Sequence, residues 1–240
     1  MPSSGQRKGP FPPILAQWSS EEFVIGGGVA IFHIASQRVV ICSAEDRKGR
    51  TYYFLPKGRR DAGEESGPGA EREGYEESGY RNRLLPLPIK HRQPEAHPRI
   101  SAPSMTAEPV CMYMMPMGYT SLQYVIYWYI AETLPPSLEA ECEMKPGEAY
   151  KRPPPYPTDL KLKDRLQMEP EGYEPIHHKG TGVDEEEATY ISYLLPIEEA
   201  IGRLGKDNVM SDVVRKGWRG IQERFTQEEY IDTESPEQIA

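Results

Sequence analysis

The stretch GRRDAGEESGPGAEREGYEESGY, Gly58 to Tyr80, decides how the rest of the chain is read. Its second half places Arg72, Glu73, Glu76 and Glu77 within one short helix, which the sequence predicts to begin near Pro68 with Ser66 as N-cap. Residues three and four apart share a helix face, so Glu73 reaches Glu76 and Glu77, and Arg72 lies beside Glu76. Like charges at that spacing repel by a few tenths of a kcal/mol per pair. A chain that gathers three carboxylates there implies a cation to neutralise them, and hard oxygen donors suit Mg²⁺ or Mn²⁺.

The same stretch resembles the Nudix box, G-x5-E-x7-R-E-U-x-E-E-x-G-U with U a bulky apolar residue. Gly58 opens it, Glu64 follows, then Arg72-Glu73, Glu76-Glu77, Gly79, and Tyr80 in the last apolar place. Gly74 departs from the pattern, standing where the family has a large apolar side chain against the sheet, and Gly inside a helix costs roughly 0.5–1 kcal/mol relative to Ala. The resemblance implies an α/β (α+β) fold, the Nudix α/β/α sandwich with a central mixed β-sheet, and hydrolysis of a phosphoanhydride with Mg²⁺ or Mn²⁺ as cofactor. By the same resemblance Glu73, Glu76 and Glu77 hold metal, the Lys57 backbone carbonyl adds a ligand, and Arg72 holds the carboxylates. Glu64 stabilises the loop, and Gly58 and Gly79 serve turns. Nudix hydrolases also place a glutamate before a later strand as metal ligand or general base. With Tyr190 set at that strand's aromatic position, Glu185 is the nearest counterpart, and Glu186 and Glu187 are the alternatives.

Charge is unevenly divided. The chain carries a net charge of −9 over 240 residues. Residues 1–100 hold 15 Lys/Arg against 12 Asp/Glu, a net of +3, and residues 101–240 hold 13 against 25, a net of −12. Lys57, Arg59 and Arg60 flank the box and would meet an anionic substrate. Leu-Pro-Lys-Gly at 55–58 resembles diphosphoinositol polyphosphate and diadenosine polyphosphate hydrolases. No tyrosine lies between Arg81 and Met112, where the latter often carry one, and Pro94 and Pro98 only bracket the proline of ADP-ribose pyrophosphatases. The expected substrate is therefore a diphosphoinositol polyphosphate or related polyphosphate. ADP-ribose or another nucleoside diphosphate derivative, and a non-catalytic binding module, are the alternatives.

The remaining pattern predicts one domain over 21–228, with tails at 1–20 and 229–240. Strands are predicted at Phe23–Ile34, Arg38–Cys42, Thr51–Leu55, Leu84–Ile89 and Ala188–Leu195, with a hairpin from Val110–Met117 to Leu122–Thr133 around Gly118-Tyr119. A helix opens at Pro196 and an amphipathic one closes the domain over Asp207–Phe225. Residues 135–183 read as an insertion outside the core: nine of those from Pro135 to Pro175 are proline, and apolar periodicity is weak. His177 and His178 within it are candidate lid or phosphate contacts. Cys42, Cys111 and Cys142 lack paired zinc-site spacing and read as reduced thiols. With no run approaching the roughly 20 apolar residues of a membrane span, the expected protein is soluble and cytoplasmic, with the nucleus also open to it. Its expected partner is a small anionic phosphoanhydride, and neither nucleic acid nor membrane.

Overall fold

Alternating apolar residues in a strand can bury both faces of a sheet, and the first strand, β1 (Phe23–His33), does so. Val29 and Ile31 face one apolar layer with Ala70 of the box helix, and Ala30 and Phe32 face the other with Val213, Val214 and Ile221. The computed structural model describes residues 15–94, 105–118, 121–144 and 148–234. The first fourteen residues, Pro98, Tyr119 of the predicted hairpin turn and residues 235–240 lie outside the described residues.

Among the described residues the sheet has eight strands: β1, β2 (Arg38–Glu45), β3 (Thr51–Phe54), β4 (Lys57–Arg59), β5 (Asn82–Leu84), β6 (Cys111–Pro116), β7 (Gln123–Thr133) and β8 (Ile191–Pro196). Its main path runs β3-β2-β1-β7-β5, with β4 on β1, β6 on β7 and β8 on β2. The β1 and β7 pair is parallel, from Phe23 opposite Gln123 to Phe32 opposite Glu132, and the other pairs are antiparallel. The box helix α1 (Ser66–Ser78) covers one face. The other face carries α4 (Ile197–Leu204) and α5 (Val209–Glu234). This is the expected α/β/α sandwich on a mixed sheet. No helix among the described residues is long and apolar enough to cross a membrane.

Four expectations are corrected. The helix starts at Ser66, not Pro68, and Ser66 does not cap it: Glu65 takes the cap position, and the Ser66 hydroxyl lies 2.7 Å from the Tyr129 hydroxyl. The predicted strand Leu84–Ile89 is shorter and earlier, because Pro86 and Pro88 have no N–H for a ladder; a single bridge joins Leu87 to Thr106. The strand predicted from Ala188 starts at Ile191, because Glu187–Thr189 forms a 3-10 turn. Helix α5 continues to Glu234, past residue 228.

The largest difference concerns 135–183. Its described residues form α2 (Pro136–Glu141) and α3 (Leu162–Gln167), and Tyr156 and Leu162 belong to the main core. A buried ionic chain fastens it. Arg165 reaches Glu132 of β7 at 2.8 Å and Glu169 at 2.8 Å, Arg83 of β5 reaches the same Glu132 at 2.7 Å, and Glu169 lies 3.1 Å from His33 Nε2. Removing one member of such a buried set would leave an uncompensated charge and so destabilise the way the segment docks.

Candidate metal and phosphoanhydride site

Close approach of α1 to the sheet is set by missing side chains. A Cβ on Gly27 would lie 2.7 Å from Ala70 N and 2.8 Å from Ala70 Cβ, so a larger residue would push the helix outward. Gly74 answers to the same constraint: its Cβ would lie 2.7 Å from Asn82 Nδ2 and 2.8 Å from Val29 Cγ1. The apolar anchor expected there is replaced by Asn82, whose amide donates to Glu71 O at 2.9 Å. Gly79 ends the helix in the left-handed region at φ 71°, with its N–H on Tyr75 O at 2.7 Å, as its expected turn role requires. Gly58 differs from that expectation. It sits in β4 opposite Gly27 without positive φ, and the Glu73 carboxylate fills the space where its Cβ would stand.

The carboxylates of the box do not behave alike. Arg72 grips Glu64 with two bonds, at 2.9 and 3.2 Å, and its other donors reach Glu73 at 2.9 Å, Glu76 at 2.6 Å and the Arg59 carbonyl at 3.0 Å. Burial works against the Arg72 charge, but those carboxylates outweigh it and hold the guanidinium protonated. Burial likewise opposes the Glu64 charge, yet the bonds from Arg72 and the Asp61 amide bring its carboxyl below the usual range. Glu77 accepts the Lys57 amide at 2.7 Å, so α1 and β4 are joined at the site itself. Beneath it the buried Cys42 thiol donates to the Glu77 carbonyl at 3.6 Å.

Glu73, Glu77 and Glu187 each offer a carboxylate oxygen, all within 4.8 Å of one another. Burial pushes Glu73 up to about 7, with Arg72 offsetting part of that and Glu76 adding to it. Burial pushes Glu77 up to about 8, against the pull of the Lys57 charge and amide. Glu76 is raised by burial too, but its carboxylate is spent on Arg72 and it stands outside this trio. Glu73 and Glu77 are thus two buried carboxyls whose hold on a proton burial strengthens, with the Glu187 carboxylate beside them.

Of the acidic run before β8, Glu187 joins the site, and Glu185 does not. Glu185 is exposed and does not line the cleft, whereas Asp184, Glu186 and Glu187 on either side of it do. His177 and His178 are no lid. The His178 amide donates to Gly79 O at 2.8 Å, its ring meets Glu139, and the His177 ring packs on Tyr80 at 5.1 Å between centroids.

Glu73 and Glu187 of the trio line a cleft of about 780 Å³. Lys57, Arg59 and Arg60 line it, as do Asp184 and Glu186, and Arg60 is also bound to the Glu64 carbonyl. Val24, Met117 and Tyr124 form an apolar wall that sequence reading missed, since Tyr124 reads there as an ordinary core residue. The signal was available only in register: Tyr124 of β7 pairs with Val24 of β1, and its ring occupies the space where Gly26, two residues on, has no side chain.

No family model matches the sequence, and no curated protein sequence does either. Among solved structures, a Nudix hydrolase from Nitrosomonas europaea is similar at TM-score 0.44 and 11% identity, over 82% of this chain and 89% of that one. A C. elegans Ap4A hydrolase is similar at 0.41 and 14% identity, over 83% of this chain and 98% of that one. A MutT Nudix hydrolase from Burkholderia pseudomallei is similar at 0.31 and 19% identity, over 47% of this chain and 68% of that one. These three likenesses all lie at TM-scores below 0.5 and identities below 20%.

Proposed function

We propose that this chain is a Nudix hydrolase that cleaves a phosphoanhydride bond with the help of a divalent cation, Mg²⁺ or Mn²⁺. The observation that carries the reading is the approach of Glu73, Glu77 and Glu187 to within 4.8 Å of one another beside a cleft that Lys57, Arg59 and Arg60 line. A bound cation would supply charge neutralisation at phosphoryl oxygens and an acidified water. Glu73, Glu77 and Glu187 would hold it, with the Lys57 carbonyl as a further ligand. Glu76 and Glu64 act through Arg72, which fixes the Glu73 carboxylate in the direction of the trio. Lys57, Arg59 and Arg60 bind the substrate phosphates, and positioning of this kind does most of the work in phosphoryl transfer.

For substrate we propose a diphosphoinositol polyphosphate or related polyphosphate, which the basic triplet at the cleft supports. A second reading, a nucleoside diphosphate derivative such as ADP-ribose, is favoured by the wall of Val24, Met117 and Tyr124, which offers an apolar seat to a base or ribose and nothing to a polyanion. Phosphate release in Mg²⁺ from a panel of diphosphoinositol phosphates, dinucleoside polyphosphates and ADP-ribose decides between them. Native protein should cleave at least one and Glu77→Gln should lose that activity by roughly 100-fold or more, the scale on which removing one electrostatic group acts. Tight binding of a panel member without cleavage would make the chain a binding module instead. Localisation to the cytoplasm, with the nucleus also open, belongs to the same proposal.

A further inference from the structure

A carboxylate on a run of four acidic residues needs something to choose which of the four faces inward. We propose that Thr181, Gly182, Val183 and Asp184 form a clasp that positions Glu187 against Glu73 and Glu77. The inference rests on the metal-site reading above.

Each clasp residue makes a different contact. The Thr181 hydroxyl donates to the Glu76 carbonyl at 2.8 Å, satisfying an end carbonyl of α1 and tying the clasp to the helix that carries the other two carboxylates. The Val183 amide donates to Glu187 Oε2 at 2.8 Å, which fixes the side chain while leaving it a second oxygen. Gly182 lies so close that a Cβ would stand 2.9 Å from Glu187 Cβ and 2.9 Å from its carbonyl carbon. Asp184 Oδ1 accepts the amides of Glu186 and Glu187, both at 2.9 Å, and its carbonyl accepts the Ala188 amide at 3.1 Å, so it nucleates the turn from which Glu187 projects. Asp184 is therefore a positioning residue that acts through its acceptor oxygen and not its charge.

Manganese titration of the full chain, read by the paramagnetic resonance of free Mn²⁺, tests this with Glu187→Gln, Asp184→Ala, Asp184→Asn and Gly182→Ala. Glu187→Gln, Asp184→Ala and Gly182→Ala should each weaken Mn²⁺ binding by roughly 10–100-fold, the usual scale for losing a ligand's support. Asp184→Asn keeps an oxygen acceptor for both amides and should bind within about 3-fold of native. Gly182→Ala probes the same clasp without changing charge, and metal-free melting temperatures measured alongside exclude loss of fold. If Asp184→Asn is as weak as Asp184→Ala, Asp184 acts by charge and the clasp is wrong. If only Glu187→Gln weakens binding, the clasp is wrong and the metal site stands. If Glu187→Gln binds like native, Glu187 is no ligand, and the clasp falls together with that part of the metal reading.

Discussion

Replacing Gly58 by alanine asks whether the pose of Glu73 matters, because the new methyl would stand where its carboxylate is. Glu73 Oε1 would lie 2.5 Å from the added Cβ, with Oε2 and the carboxyl carbon nearer still. Ordinary contact distance is about 3.5 Å, so the carboxylate must retreat by about 1 Å or more. Metal ligation tolerates about 0.2 Å. The backbone itself can accept alanine, since Gly58 has no positive φ and sits in β4. The expected result is a folded protein whose Mn²⁺ affinity falls roughly 10–100-fold, with phosphoanhydride hydrolysis falling at least as much. Paramagnetic resonance reads the affinity, circular dichroism the fold. A Gly58→Ala protein that binds Mn²⁺ as native does would refute the reasoning, because Glu73 could then not be ligating from the position it holds.

Two further outcomes follow from the same structure. Glu73 and Glu77 are raised to about 7 and about 8, so the folded, metal-free protein holds protons there that the unfolded chain releases above its ordinary carboxyl range. Metal-free stability should therefore fall as pH rises from about 5 to 8, at up to about 1.4 kcal/mol per pH unit for each group; Mg²⁺ should reverse the trend, because binding displaces those protons. Urea unfolding at several pH values checks this, and a metal-free protein that gains stability over the range would contradict it. Leu162→Ala should cost about 2–5 kcal/mol, since Leu162 is fully buried in the main core although it belongs to the Pro-rich segment; a loss under about 1 kcal/mol in the same denaturation experiment would mean that the segment is dispensable to the core.

The box was legible because its chemistry is local: Glu73 and Glu77 share a helix face by spacing alone, and Arg72 meets Glu76 one turn away. The long strands were legible from apolar runs with Gly or turn residues at their ends. What the sequence hid depends on residues far apart in the chain. Gly74 reads as a weak helix position until Asn82 and Val29 are seen to fill its space. The segment 135–183 reads as structureless because its anchors, Tyr156, Leu162 and Arg165, are isolated among prolines and make no periodic stripe. Aligning Tyr190 with the family's aromatic position pointed first to Glu185 with Glu186 and Glu187 as alternatives, and sequence alone could not choose among them because Glu187–Thr189 forms a 3-10 turn before the strand.

The parallel pairing of β1 with β7, and the placing of Glu187 beside Glu73 and Glu77, join parts of the chain made far apart in time. At a synthesis rate of roughly 5–20 residues per second, the ribosome delivers Glu187 some 5–20 s after Glu77. For that interval the emerging polypeptide owns two of the three acidic side chains and an unfinished sheet to support them, since β8 is still to be made. The three-carboxylate cluster is therefore among the last features of the fold to form, and it exists only in a chain that has already threaded its distant halves together.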